Sequence, residues 1–437
     1  MRPPGIPPDV DRRVTRRFLP ELTQPTEPAE PPKPTEPGSF VRDAPTVLAY
    51  AALASYTFWL YAFGPALTLL RAELQFSYTL LGVYSALWSV GAALAGAGFA
   101  LVARRLPRAV LLWWSALAAA VGAGLFTLGS GVAATLLGAG VLGLAGTTLL
   151  MVVQAVLSDR HGARRDRALT EANVGAGACA VLAPLVLGAL AAGPAGWRAA
   201  FAVPALVLAV LYLRHRRRPL PAASERHDTG RPGRLLPACW LFAALTAVGM
   251  AVEFCLVYFG TEVLVGTGLS TAVAATALSS NYLGILVGRL AGAVLTRRPG
   301  RTVPLLHASL AITAAGFLPF WLTDQPAVAV LGLFVCGVGI ANLYPLSLAL
   351  TIGAARGHED RANARTQLLG GLVTAAAPYL LGRLADRHGL ATAFAIEPVL
   401  IGACLLLLLA GLTARRTAAW AGGPQAGDVP GRSSCRV

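Results

Sequence analysis

Twelve apolar runs, each of about twenty residues or more, follow one another from Ala44 almost to the end of the 437-residue chain: 45–70, 78–102, 109–128, 132–157, 168–192, 197–213, 237–263, 269–295, 303–323, 327–352, 362–385 and 390–413. A hydrocarbon core of roughly 30 Å is crossed by about 20 helical residues. Inside it every backbone N–H and C=O must be paired within the segment or within a closed barrel. Barrel strands would be about ten residues long and alternate in polarity; these runs are too long and too uniformly apolar for that. The sequence therefore predicts an all-α membrane protein of twelve spanning helices. Only 13 % of the residues are charged, about half the share a soluble domain needs for its surface.

The formal net charge is +15, but the arginines sit in short clusters between the runs. With the N-terminus inside, the loops after runs 2, 4, 6, 8 and 10 hold 19 Arg, and the opposite loops hold three, Arg71, Arg198 and Arg387. This bias places both termini in the cytoplasm. It also fits contact with anionic lipid better than binding of nucleic acid. Residues 1–44, with 11 of the 30 prolines, read as a disordered Pro-rich tail. Residues 45–213 then form a first six-helix half, 214–236 a basic linker, 237–413 a second half, and 414–437 a C-terminal tail.

The halves carry a repeat. Asp166-Arg167-Ala168 precedes Pro184 by 18 residues and Gly188 by 22; Asp360-Arg361-Ala362 precedes Pro378 and Gly382 by the same spacings. Ala200-Phe201-Ala202 matches Ala393-Phe394-Ala395 after a one-residue gap. Two copies in the same order and orientation imply a pseudo-two-fold axis along the membrane normal.

Enzyme chemistry has no anchor here. There is no P-loop and no G-x-S-x-G elbow. The six histidines and six cysteines lack metal-ligand spacing. No cofactor and no metal are expected.

Six plus six helices, a basic central loop and inside termini resemble the major facilitator superfamily of secondary transporters. Gly288-Arg289-Leu290-Ala291-Gly292 is similar to the G-R-x-x-G found near the loop after helix 8 in many members. Gly196-Trp197-Arg198-Ala199-Ala200-Phe201 also resembles family sequences. Ala183-Pro184-Leu185-Val186-Leu187-Gly188 partly matches the antiporter signature, but its echo at Ala377, Pro378 and Gly382 reads as packing. The loop after helix 2, Ala100 to Arg108, departs from the family pattern: Arg104 stands where an acid is usual and Pro107 where a glycine is.

The resemblance implies alternating access around a central cavity lined by helices 1, 4, 7 and 10. Polar or aromatic residues near the middle of those runs are Trp59, Tyr61, Thr147, Thr148, Glu253, Asn342 and Tyr344, with Asn281 added from helix 8. All are candidate cavity residues. Glu253 is the sharpest: a carboxylate at the bilayer centre costs about 2.5–3.5 kcal/mol on insertion scales, and a carboxyl held there can take up and release a proton, as coupling requires. Arg289, expected on one helix-8 face with Asn281 and Ile285, and the pair Glu171 and Arg365, at equivalent repeat positions, are candidates for gating or pairing between the halves. Arg383 and Asp386 are expected to form a local surface pair.

The function read from these residues is secondary active transport of a small organic solute, coupled to protons and leaning to efflux of an apolar or cationic compound. Proton symport of a sugar-like or other small polar solute is the alternative, and a polytopic enzyme or receptor a remote one. The expected setting is a bacterial inner membrane, with the chain working as a monomer.

Overall fold

The computed structural model describes residues 40–218, 220, 235–298, 300–355 and 357–421. Most of the Pro-rich tail, most of the linker and the last 16 residues lie outside the described residues. Among the described residues, twelve helices are long and apolar enough to cross a membrane: α1 (Ala44–Leu74), α2 (Tyr78–Arg105), α3 (Arg108–Leu128), α4 (Val132–His161), α5 (Arg165–Ala191), α6 (Arg198–His215), α7 (Pro237–Gly266), α8 (Thr271–Leu295), α9 (Thr302–Leu322), α10 (Pro326–Gly353), α11 (Arg361–His388) and α12 (Leu390–Thr417). Several overrun their apolar stretch by a charged turn. α4 ends on Asp159-Arg160-His161 and α2 on Arg104-Arg105, so basic side chains meet the negative end of the helix dipole.

Helix starts follow local chemistry. The Asp43 side chain accepts the Thr46 N–H at 3.1 Å, with Pro45 in the first turn of α1; Ser77 does the same for Leu80 N at 3.2 Å on α2. Three spans are interrupted. α8 breaks at Leu278, α10 at Ala341-Asn342, and α12 between Ala393 and Ile396.

Helix neighbours repeat between the halves. α1 packs on α4, α5 and α6 as α7 packs on α10, α11 and α12. α3–α4 corresponds to α9–α10, and α2–α4 to α8–α10. Across the halves, α2 meets α11 and α8 meets α5. The correspondence reaches single residues. A Cβ on Gly382 would overlap the Tyr78 carbonyl, and one on Gly188 would meet the Ala272 carbonyl; Tyr78 and Ala272 are 194 residues apart, as are Gly188 and Gly382.

Candidate functional site

The bundle has two ends: a basic end, which carries Arg42 and the arginine loops, and a far end. At the far end the halves touch closely. On α1, a Cβ on Gly64 would overlap the Val257 carbonyl of α7. A Cβ on Gly82 of α2 would lie 2.7 Å from Tyr379 Cα and 2.8 Å from the Pro378 carbonyl of α11. Arg71 on α1 donates to Glu262 on α7 at 3.1 Å and stacks over the Tyr78 ring at 3.8 Å. Asp386, at the end of α11, accepts the backbone N–H groups of Tyr78 and Thr79 at 2.8 and 2.7 Å, binding the N-terminus of α2.

Toward the basic end the same helices part. No buried residue occurs on α2 beyond Ala95. On α11, Arg365, Gln367 and Leu368 are exposed, and on α5 Thr170 and Asn173 are exposed. A cleft therefore opens between the halves at the basic end and closes at the far end.

Glu253 lies at the floor of that cleft, midway along α7, deep in the protein yet partly exposed. Its Oε1 accepts from the Tyr61 hydroxyl of α1 at 3.4 Å. Tyr61, also partly exposed, meets the Tyr282 ring of α8 edge-on, with centroids 4.7 Å apart. Tyr258, one turn beyond Phe254 on α7 and fully buried, lies beneath this floor, with its ring 5.8 Å from that of Phe254 and 6.1 Å from that of Phe63 on α1.

α8 has three distinct faces, and they place Arg289. Gly284 and Gly288 sit against backbone of α10, and Gly292 against the Asn342 side chain. Leu283, Val287, Leu290 and Val294 form an exposed apolar stripe, as a lipid-facing surface does. The third face carries Tyr282, Leu286 and Arg289. Tyr282 touches Tyr61, and Leu286 approaches Gly177 of α5. At about 100° per residue these three share one stripe, so Arg289 faces the cleft. It stands about 10 Å nearer the basic end than Tyr282 at 1.5 Å per residue. The Arg289 charge is near enough to act on both Glu253 and Tyr61.

Several expected cavity residues lie elsewhere. Trp59 is fully buried and donates from Nε1 to the Phe201 carbonyl of α6 at 3.0 Å, inside the first half. Asn281 is buried against Gly337 of α10, on a different face of α8 from Arg289. Asn342 donates to the Gly288 carbonyl at 2.9 Å, tying the break in α10 to α8. Thr148 bonds back to Leu144 of its own helix at 2.8 Å. Thr147 is partly exposed, 3.5 Å from the Tyr56 hydroxyl. Tyr344 is partly exposed and accepts from Gln367 at 2.9 Å within the second half.

Glu171 and Arg365 are not paired in this conformation, in which the basic end that carries both is open. Glu171 is held by Arg42, two residues before α1, at 2.8 and 2.9 Å, and within the first half by Arg167 at 3.1 Å and the Tyr50 hydroxyl at 3.3 Å. Asp386 likewise binds α2, where a pair with Arg383 was expected. Sequence reasoning passed over Tyr282, Tyr258, Glu262 and Arg71. Glu397 of α12 is fully buried near Cys255, which α7 carries on the side away from Glu253. A groove of about 540 Å³ between α8 and α10, lined by Leu269, Val273, Val330 and Phe334 among others, is almost wholly apolar and separate from these charged groups.

The family model of the Major Facilitator Superfamily matches residues 48–378. Similar solved structures include a bacterial homologue of the human lysosomal transporter Spinster, inward-facing and unoccupied (TM-score 0.61, 16 % identity, 86 % of this chain and 94 % of that one). The nucleoside transporter NupG is another (0.64, 14 %, 85 % and 98 %). The peptide transporter POT in complex with sulfate is a third (0.67, 16 %, 85 % and 94 %). At these identities the likeness is one of fold. A comparison with curated protein sequences finds no match.

Proposed function

The chain belongs to the Major Facilitator Superfamily, a multi-pass membrane transporter rather than an enzyme, and from that premise we propose that it moves a small organic solute by proton-coupled alternating access, with Glu253 as the group that carries the proton. The observation behind this is the Glu253–Tyr61 contact between α7 and α1, one helix from each half, at the floor of the cleft. A carboxyl group in that place exchanges its proton with whichever side the cleft faces. Its protonation changes a contact between the parts that must move.

The arginine bias of the loops supports a cytoplasmic basic end in a bacterial inner membrane, which makes the described conformation inward-open. We take the monomer as the working unit, since the cleft and its charged groups lie within one chain. The lean towards efflux of an apolar or cationic solute has three grounds, an apolar cavity, the aromatics of α1 and Glu253 as the lone acid; Arg289 on the same cleft weighs against the third, and the burial of Trp59 inside the first half takes one aromatic from the second.

The test uses proteoliposomes and any solute that stabilises the purified protein in a thermal-shift screen. Glu253→Gln should abolish solute-driven proton movement, read with an internal pH dye, while solute exchange across the membrane continues. Proton movement undiminished in Glu253→Gln would refute the assignment.

A further inference from the structure

The groups around the cleft floor are unevenly matched. Glu253 supplies the one carboxylate described there. Against it stand the Tyr61 hydroxyl, the Arg289 guanidinium, and the hydroxyls of Tyr258 and Tyr282. The last two side chains are 0 % and 2 % exposed, and neither hydroxyl has a hydrogen-bond partner among the described residues. A buried hydroxyl without a partner costs about 1–3 kcal/mol, and native proteins leave few of them. Arg289 is exposed, faces the cleft by the stripe argument, and takes part in none of the ion pairs found among the described residues. A guanidinium at membrane depth points to a partner of opposite charge, and its planar fork fits a carboxylate or similar oxyanion.

We propose that the solute is a small organic anion with a planar apolar body, its oxyanion held by Arg289 and the tyrosine hydroxyls and its body lying against Tyr61 and Tyr282. This deepens the proton-coupled reading and rests on it in one respect, the role of Glu253. An ionised Glu253 competes with the solute for the Tyr61 hydroxyl and the Arg289 charge. One proton from solvent bonds to a Glu253 oxygen, the carboxyl becomes neutral, and Tyr61 and Arg289 are released to the incoming anion. Anion and proton then occupy the cleft together and leave together, so the two move in the same direction. Nothing else is consumed: the proton returns to solvent and Glu253 to its carboxylate on the opposite side.

Binding separates the proposal from its rivals without any flux measurement. The full chain in detergent is titrated with three probes of one shape, 2-naphthoate, 2-naphthylmethanol and 2-naphthylmethylamine, and affinity is read from the thermal shift and from tyrosine and tryptophan fluorescence at pH 6 and pH 8. We expect naphthoate to bind most tightly, and more tightly at pH 6. Arg289→Gln should weaken it at least tenfold. Glu253→Gln should bind it at least as well as the wild type and lose the pH dependence. Should Arg289→Gln fail to fold, the wild-type preference and its pH trend still decide the matter. Preference for the amine, equal binding by Arg289→Gln, or no shift with naphthoate at either pH would each overturn the proposal. If naphthoate behaves as expected but proton movement survives in Glu253→Gln liposomes, the anion site stands and the coupling role of Glu253 falls.

Discussion

Asp386 binds the N-terminus of α2 across the closed far end, so removing it should favour opening of that end. Its two carboxylate oxygens take the Tyr78 and Thr79 N–H groups at 2.8 and 2.7 Å across more than 300 residues of chain. Loss of an N-terminal cap costs about 0.5–2 kcal/mol. The interaction of a charge with the helix dipole adds about 0.3–1 kcal/mol. Asp386 is exposed, and Ser77 remains as a local cap on Leu80, so about 1–2 kcal/mol is the working figure. At 1.4 kcal/mol per tenfold, Asp386→Ala should raise the ratio of far-open to far-closed protein by roughly 5- to 30-fold. Asp386→Asn, which keeps an acceptor but no charge, should fall between it and the wild type. The assay is electron–electron distance measurement between labels at Ser130→Cys and Asp324→Cys, on a chain with its native cysteines replaced. Asp386→Ala should transfer population to the longer distance. A folded Asp386→Ala protein whose populations move less than twofold would refute the assignment of this contact to the closed far end.

The Arg71–Glu262 pair should show the asymmetry of a buried ion pair. Arg71→Leu leaves a buried carboxylate without its partner and should cost about 3–5 kcal/mol, whereas Arg71→Leu with Glu262→Leu should recover most of it, as read by thermal unfolding in detergent. Trp59→Phe should cost about 1 kcal/mol through the lost bond to the Phe201 carbonyl and leave solute affinity unchanged; a large change in affinity would return Trp59 to the cavity. Asp43, outside the spans, is subject to burial that opposes its ionisation, but the hydrogen bonds from Thr46 and Arg160 outweigh it, holding the carboxyl below its ordinary value of 3.8. Its contribution is therefore complete above that value and lost as pH falls through the lower folded one. The difference in melting temperature between wild type and Asp43→Asn should be constant from pH 7 to 5 and shrink below pH 4.

Helix number and the singling out of Glu253 were legible because the bilayer constrains both. A span must be long and apolar, and an acid within it must have a reason. Which way each helix faces was not legible by hydropathy. In water the polar face of a helix marks the outside, whereas in lipid the outward and inward faces are equally apolar. On α8 the answer lay in residue size instead. The small residues Gly284, Gly288 and Gly292 pack on α10, and the large Leu283, Val287, Leu290 and Val294 face outward. The stripe left over carries Tyr282 and Arg289. Reading Asn281 together with Arg289 crossed from one face to another. The contacts that Glu171 and Asp386 make here were illegible for a second reason. Their partners, Arg42 and the α2 backbone, lie 129 and more than 300 residues away, and neither helical spacing nor repeat position points to them.

The glycines make the two cleft states separable by substitution. α2 turns Gly82, Ala93 and Gly96 toward α11, since residues 11 and 14 apart recur near one face at 3.6 residues per turn. At the far end Gly82 meets Pro378 and Tyr379 backbone, whereas Gly96 has nothing within 4 Å. A side chain at Gly82 must push apart backbone that cannot yield, so Gly82→Val should hold the far end open. A side chain at Gly96 enters open space here and disturbs nothing in this conformation. It collides only when the basic ends of α2 and α11 close on each other, as alternation between the halves requires. Gly96→Val should therefore keep the far-closed state and stop transport, with the 130–324 label distance fixed at its short value. Transport at the wild-type rate in Gly96→Val would mean that α2 and α11 do not approach at that level, and that the basic end closes by another pair of helices.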